Sequence, residues 1–254
     1  MASSSAPAIH IWYAFQSRNS EILPALQAAA LLSDEETQRH GRFHFQEDRN
    51  LYLLSHAMLR LMLSRWAPVD PRNWQFSRSA LGKPAIAYPA EFQSLQFNLS
   101  HTRGLAACVI GTHFAVGIDV ECVTRRLEML PVARRFFAPE EVEYLESRDE
   151  EERPHAFFEI WTLKEAYLKA CGSGIFAGSL QDFSMELTAP GIAHIRFNQG
   201  IADSGSNWQF NRYRLESDYQ MALAIQRHSH GELFPTVAEA DLHQALQHPG
   251  QSSD

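Results

Sequence analysis

Gly117-Ile118-Asp119-Val120-Glu121 is the stretch from which the rest of the chain can be read. Apolar and acidic side chains alternate along it, the period of a half-buried strand. Asp119 and Glu121 therefore project from one face while Ile118 and Val120 pack from the other. Neighbouring carboxylates repel, and a hard, oxygen-seeking cation such as Mg²⁺ relieves that cost. The plainer reading is two acids on a solvated strand face, and for the pair alone it is the default.

About forty residues later comes Trp161-Thr162-Leu163-Lys164-Glu165-Ala166-Tyr167-Leu168-Lys169, which has a helical period. At about 100° per residue, Ile160, Leu163, Tyr167 and Ala170 make one apolar stripe. Thr162, Glu165 and Lys169 lie opposite it, with Trp161 at the edge. Glu165 and Lys169 stand at i,i+4, where the ordinary role is a surface ion pair. The chemical role would be a third metal carboxylate beside an ammonium that reaches a phosphate. The helix is expected from about His155 to Cys171, stopped by Gly172-Ser173-Gly174. Strands are expected at 183–188, 193–198, 207–215 and 219–226, and Pro139-Glu140-Glu141 opens a shorter helix. The charged run Arg148 to Arg153 reads as a solvated connection.

Toward the N-terminus, Leu95–Ser100 and Leu105–Ile110 read as a hairpin joined by His101-Thr102-Arg103-Gly104. Asn50 to Trp66 has a helical period closed by Pro68, and Ser33-Asp34-Glu35-Glu36 is a capping box for a short helix that carries Arg39 and Arg42. Residues 9–16 make an opening strand. Met1 to His10 reads as a ragged leader with neither the basic nor the apolar region of a signal peptide. Lys83 is fixed between Gly82 and Pro84, and Ser100-His101 ends a strand where both could donate to a phosphate. The order of strands and helices suggests two similar halves, 1–112 and 113–227. The polar stretch 228–254, with a helical turn near Val237 to Leu246, is expected to be an appendage.

Composition narrows the function class. The 254 residues are 45% hydrophobic and carry a formal net charge of −8, which argues against a nucleic-acid or anionic-membrane footprint. No run of ~18 apolar residues is present to span a membrane. Three scattered cysteines fit neither a disulfide framework nor a metal knuckle, and a reducing, cytoplasmic setting is expected. A phosphate-binding glycine loop, a nucleophile elbow and a His-Glu-x-x-His site are all absent. Three acids together with Lys169, Lys83, Ser100, His101, Arg39 and Arg42 would suit one cation and a ligand that contains a pyrophosphate.

Gly117–Glu121 followed by Phe157-Phe158-Glu159-Ile160-Trp161-Thr162-Leu163-Lys164-Glu165-Ala166-Tyr167-Leu168-Lys169 resembles the signature pair of the surfactin-type 4′-phosphopantetheinyl transferases. The match continues through Gly82-Lys83-Pro84, Phe97-Asn98-Leu99-Ser100-His101, Ser55 to Arg60, and Arg134-Arg135-Phe136-Phe137, so that it spans roughly residues 30–225. The resemblance implies a monomeric α+β fold of two similar halves related by a pseudo-twofold, each an antiparallel sheet packed with helices, with coenzyme A in the cleft between them. It implies Mg²⁺ on Asp119, Glu121 and Glu165. Lys169 would meet the pyrophosphate with Lys164 as helper, and Lys83, Ser100 and His101 would contact nucleotide phosphates. Arg39 and Arg42 would help hold the 3′-phosphate, and Asp119 would lie against the bound coenzyme. Many members carry a basic residue where this chain has Leu51, and Arg49 is a candidate substitute.

The implied reaction moves 4′-phosphopantetheine from coenzyme A to a serine of an apo-acyl or apo-peptidyl carrier protein and releases 3′,5′-ADP. Glu165 is the candidate base, directly or through a water on the metal, and Lys169 stabilises growing charge. A Mg²⁺-dependent hydrolase of coenzyme A or a related pyrophosphate would use the same acids and lysines with water as nucleophile. A non-catalytic carrier-binding protein would have no reason to retain Asp119, Glu121, Glu165 and Lys169 together.

Overall fold

The structure, a computed structural model, describes residues 8–78, 82–172, 179–189, 191–198, 203–227 and 231–249. Two compact units emerge, one from residues 8–78, 84–113 and 234–249, the other from residues 82–83 and 114–233. In the first, β1 (Ile9–Phe15) leads to the short α1 (Leu23–Ala28) and to α2 (Asp34–Arg42). The capping box forms: Ser33 Oγ accepts from Glu36 N–H at 3.2 Å, and Glu36 Oε2 accepts from Ser33 N–H at 2.8 Å. The long α3 (Gln46–Trp66) is buried almost throughout residues 51–64 and lies on β4 (Leu95–Thr102) and β5 (Leu105–Thr112), after a small hairpin of β2 (Gln75–Arg78) and β3 (Pro84–Tyr88). Fully buried Leu54, Met58 and Leu61 each contribute roughly 1.5–3 kcal/mol of apolar burial.

The second unit runs β6 (Val116–Cys122), α4 (Met129–Phe136), α5 (Pro139–Glu146), α6 (Arg153–Cys171), β7 (Phe183–Ala189), β8 (Ile192–Phe197), β9 (Trp208–Leu215) and β10 (Tyr219–Gln226). Its antiparallel sheet has the order β6-β10-β9-β8-β7, and α6 packs on β6 and β10. The chain then returns to the first unit with β11 (Thr236–Glu239) and α7 (Leu242–Gln247). Each unit is thus α+β, a sheet carrying one long helix.

Three expectations change. Residues 236–247 are no appendage: β11 pairs in parallel with β1, which makes the first sheet β11-β1-β5-β4, and α7 buries Leu242 and Ala245 in the core. Half of the apolar residues there are alanines, a weak strand signal, so only the helical turn was legible. The β4–β5 turn is only Arg103-Gly104, with Gly104 at φ 82°, so His101 and Thr102 pair with Ala106 and Leu105 inside the ladder. Finally, α6 is not buried along one stripe. Phe157, Phe158, Ile160, Thr162, Leu163, Lys164, Ala166, Tyr167 and Leu168 are all buried, because α4, α5, β6, β7, β9 and β10 surround the helix. Of its expected terminator, Ser173 and Gly174 lie outside the described residues, and Gly172 caps the helix at φ 71°.

Candidate active site

The site begins with a glycine. A Cβ on Gly117 would stand 2.1 Å from the carbonyl oxygen of Ala166 and 2.4 Å from the amide nitrogen of Ala170, so only glycine lets α6 settle this closely on β6. Glu165 precedes Ala166 on the helix, and Asp119 shares the α6-facing side of β6 with Gly117. The close approach therefore delivers a helix carboxylate to a strand carboxylate. Asp119 is buried at 5% exposure and Lys169 Nζ donates to its Oδ1 at 2.6 Å. The i,i+4 partner expected for Lys169 was Glu165, but Asp119 takes the bond.

Glu165 feels this crowding. Its carboxyl is pushed up to about 7, first by burial and then by the charge of Asp119, with Lys169 opposing and Glu121 adding to the rise. Glu165 Oε1 is buried without a hydrogen-bond partner among the described residues. Glu121 has Arg125 at 3.9 Å, a loose i,i+4 pair. Three carboxylates thus act on one small region, with Lys169 bonded to Asp119 and Arg125 loosely paired with Glu121. Among the described residues no three His, Cys, Asp or Glu side chains are arranged as a finished metal cage. The donor chemistry nevertheless suits a hard divalent cation: all-oxygen ligands, surplus negative charge, and an orphaned buried oxygen that a cation would satisfy.

Lys164 does not belong with these groups. It is 0% exposed, and its Nζ donates to the carbonyls of Leu180 at 2.7 Å and Phe183 at 2.6 Å while meeting Glu141 Oε2 at 2.8 Å. All three ammonium donors are committed, which removes it from the expected coenzyme contacts. Lys83 donates to Ala170 O at 2.7 Å and Val116 O at 3.5 Å, a cation at the C-terminal carbonyls of α6. Burial draws its ammonium down from the usual range.

In the first unit, Arg39 and Arg42 are exposed and line one open depression of ≈ 530 Å³ with Glu35, Gln38 and Phe43. The Arg39 guanidinium lies 5.8 Å from the centre of the buried Tyr52 ring. Arg49 turns inward instead, donating to Phe43 O at 2.6 Å, His44 O at 3.3 Å and Gln46 Oε1 at 3.1 and 2.9 Å. It fastens the loop between α2 and α3, while Leu51 is buried. Ser100 and His101, adjacent on β4, point to opposite faces, and only His101 is exposed.

Several contributors had no local signal. Glu36 braces α2 against α3: Oε1 lies 3.0 Å from His56 Nδ1, and Oε2 accepts from the buried Arg60 at 2.6 Å. Burial works against its charge, but His56, Arg60 and the Ser33 amide hold the carboxyl down at about 2. Glu141 and the Glu159–Arg212 pair join residues far apart in the chain. Gly117 could have been recognised, because a glycine inside a strand pattern signals close backbone approach.

Comparison with known proteins places this geometry. Residues 115–224 match the model of the 4′-phosphopantetheinyl transferase superfamily, and residues 19–112 match that of the 4′-phosphopantetheinyl transferase N-terminal region. The 4′-phosphopantetheinyl transferase HetI of Nostoc sp. is 36% identical over 180 residues, 71% of this chain and 74% of that protein. The putative 4′-phosphopantetheinyl transferase slr0495 of Synechocystis sp. is 34% identical over 211 residues, 80% of this chain and 82% of the relative. The 4′-phosphopantetheinyl transferase Sfp of Bacillus subtilis is 29% identical over 213 residues, covering 84% and 90%. With matches of this extent on both units, the chain belongs to the 4′-phosphopantetheinyl transferase family.

Proposed function

We propose that Asp119, Glu121 and Glu165 hold Mg²⁺ while Lys169 meets the pyrophosphate of coenzyme A. The reaction they serve is the family's: the protein is a 4′-phosphopantetheinyl transferase, moving phosphopantetheine from coenzyme A to an apo-carrier protein. The observation that carries the site assignment is the close seat of α6 on Gly117, which brings Glu165 within reach of the charge of Asp119, itself bonded to Lys169. Burial and then Asp119 raise the Glu165 carboxyl against the pull of Lys169.

The serine hydroxyl of the carrier attacks the β-phosphorus of coenzyme A. The bond from that phosphorus to the bridging oxygen breaks, and 3′,5′-ADP leaves. Bound Mg²⁺ would supply charge neutralisation at the phosphate oxygens. Glu165 is assigned the serine proton, directly or through a water. Lys169, half-buried beside Asp119, stabilises the charge that grows on the leaving group. Arg39 and Arg42, exposed along one depression, are assigned to the 3′-phosphate, and His101 to a nucleotide phosphate.

The same reading takes the protein to act as a cytoplasmic monomer, on acyl or peptidyl carrier domains, without nucleic acid or membrane. The acidic balance supports the exclusion of nucleic acid, and no helix among the described residues is long and apolar enough to cross a membrane.

The deciding assay mixes the protein with Mg²⁺, coenzyme A and several apo-carrier domains, then weighs the carriers intact. The expected result is a gain of one phosphopantetheine on a single serine, lost when Mg²⁺ is chelated. Free phosphopantetheine formed without any carrier would instead identify a hydrolase.

A further inference from the structure

The face of the second sheet beneath α6 is ordered in rows. Across β6, β10 and β9, Gly117 stands opposite Ala224 and Phe210, and Asp119 opposite Ala222 and Arg212. Directly opposed residues share a face, so both rows look toward the helix. Where α6 meets β6 and β10 the surfaces are small, with Gly117, Ala222 and Ala224 on the sheet and Ala166 and Ala170 on the helix. Small residues permit close approach but provide few knobs to stop a helix sliding or turning. On this face, unlike the faces packed by Phe157, Phe158 and Leu168, directional ion pairs add to what fixes where Glu165 lies.

On the sheet side of α6 two such pairs flank Glu165, besides the buried Lys164–Glu141 pair that holds the helix to α5. Lys169 bonds Asp119 on one side, and Glu159 Oε1 accepts from Arg212 Nη1 on the other. Asp119 and Arg212 belong to the same row, so α6 is fastened at both ends of one line across the sheet. The fastenings are not equivalent. In the proposed reaction Asp119 turns to the cation and Lys169 to the pyrophosphate, so their mutual bond is given up when the ligands arrive. Glu159 and Arg212, with 25% and 12% of their side chains exposed, have no part in that exchange.

We propose that Glu159 and Arg212 are positioning residues, which hold α6 in register so that Glu165 stays against Asp119 after Lys169 has let go. The inference rests on the metal-site reading above. It assigns the pair to a loaded state, where a purely structural ion pair would matter only to folding.

Mn²⁺ binding, followed by electron paramagnetic resonance on the full chain, tests it without reference to turnover. Glu159→Gln and Arg212→Met should each weaken Mn²⁺ binding by about 10-fold, the size of effect that outer partners of metal ligands produce. The double variant should be no weaker than either single one. Both singles should lower kcat with little change in KM for coenzyme A, and Arg212→Lys should retain most of the parent's affinity. Mn²⁺ affinity and kcat equal to the parent's, with only the melting temperature reduced, would overturn the proposal. Should Arg212→Met fail to fold by circular dichroism, Glu159→Gln decides alone. Asp119→Ala is the control: if it binds Mn²⁺ like the parent, the metal-site reading itself is wrong, whatever the other variants do.

Discussion

Lys164 and Lys169 sit on the same helix and each meets a carboxylate, yet their surroundings assign them to different work. Around Lys164 the accounts are closed: Glu141 and two carbonyls take its three donors, and Glu141 in turn accepts from the amides of Ala138 and Met185 at 2.8 Å each. Burial pushes the Glu141 carboxyl up and the Lys164 ammonium down, so this pair keeps its charges only through those hydrogen bonds. Around Lys169 the accounts stay open. Asp119, Glu121 and Glu165 bear on one region, one Glu165 oxygen is buried without a hydrogen-bond partner among the described residues, and Lys169 keeps 29% of its side chain exposed. A satisfied buried pair is scaffold, whereas an unbalanced, partly accessible cluster is where a ligand can contribute what the protein lacks.

The sharpest break in that comparison comes from the open cluster. Glu165→Gln or Asp119→Ala should cut carrier modification by about 10³-fold or more, with circular dichroism and melting temperature close to the parent's. Full activity in either would end the metal-site assignment. The closed pair should show the reverse pattern. Glu141→Ala leaves Lys164 charged and unpaired in the interior, and urea denaturation should register a loss of about 3–5 kcal/mol. The double variant Glu141→Gln with Lys164→Met should recover most of that stability, and activity per folded molecule should stay within a few-fold of the parent.

Gly117→Ala probes the contact that brings the two clusters' helix onto the strand. Its new methyl cannot fit 2.1 Å from Ala166 O, so α6 must shift. A stability loss of about 1–3 kcal/mol in denaturant should accompany a fall in activity larger than that loss explains.

The smallest effect is a proton linkage. Glu165 is raised from 4.5 to about 7, chiefly by burial and by Asp119. The folded protein therefore keeps this proton in a window where the unfolded chain has released it. The stability so contributed is complete below the unfolded value and is lost as pH rises through about 7. At the proposed site Mg²⁺ would bind the deprotonated cluster, so differential scanning fluorimetry should show a larger Mg²⁺-induced rise in melting temperature at pH 8 than at pH 6. An equal rise at both would contradict the linkage.

Much of the scaffold was legible because short-range rules govern it. Ser33 and Glu36 mark their helix start through contacts three residues apart, and the alternation along 117–121 fixes a strand with both acids on one side. The strands at 183–189, 192–197, 208–215 and 219–226 follow from the same period. What escaped was decided by partners distant in sequence. Val237 to Leu246 reads only as a helical turn, and pairing with β1 makes a strand of its first part. Arg49 looked available for a phosphate until the loop carbonyls of Phe43 and His44 claimed it.

By itself the sequence determined which residue types recur at which spacing, and thereby the α+β plan, the paired acids and the Lys-Glu-x-x-x-Lys run. Only the tertiary structure decided which lysine is sealed in the interior and which stays partly accessible beside Asp119. Helical periodicity sets the direction of a side chain but says nothing of how many elements close over it. Lys164 is sealed because α5 brings Glu141, the turn before β7 brings Leu180 and β7 brings Phe183 to it from elsewhere in the chain, and Lys169 remains partly accessible beside Asp119.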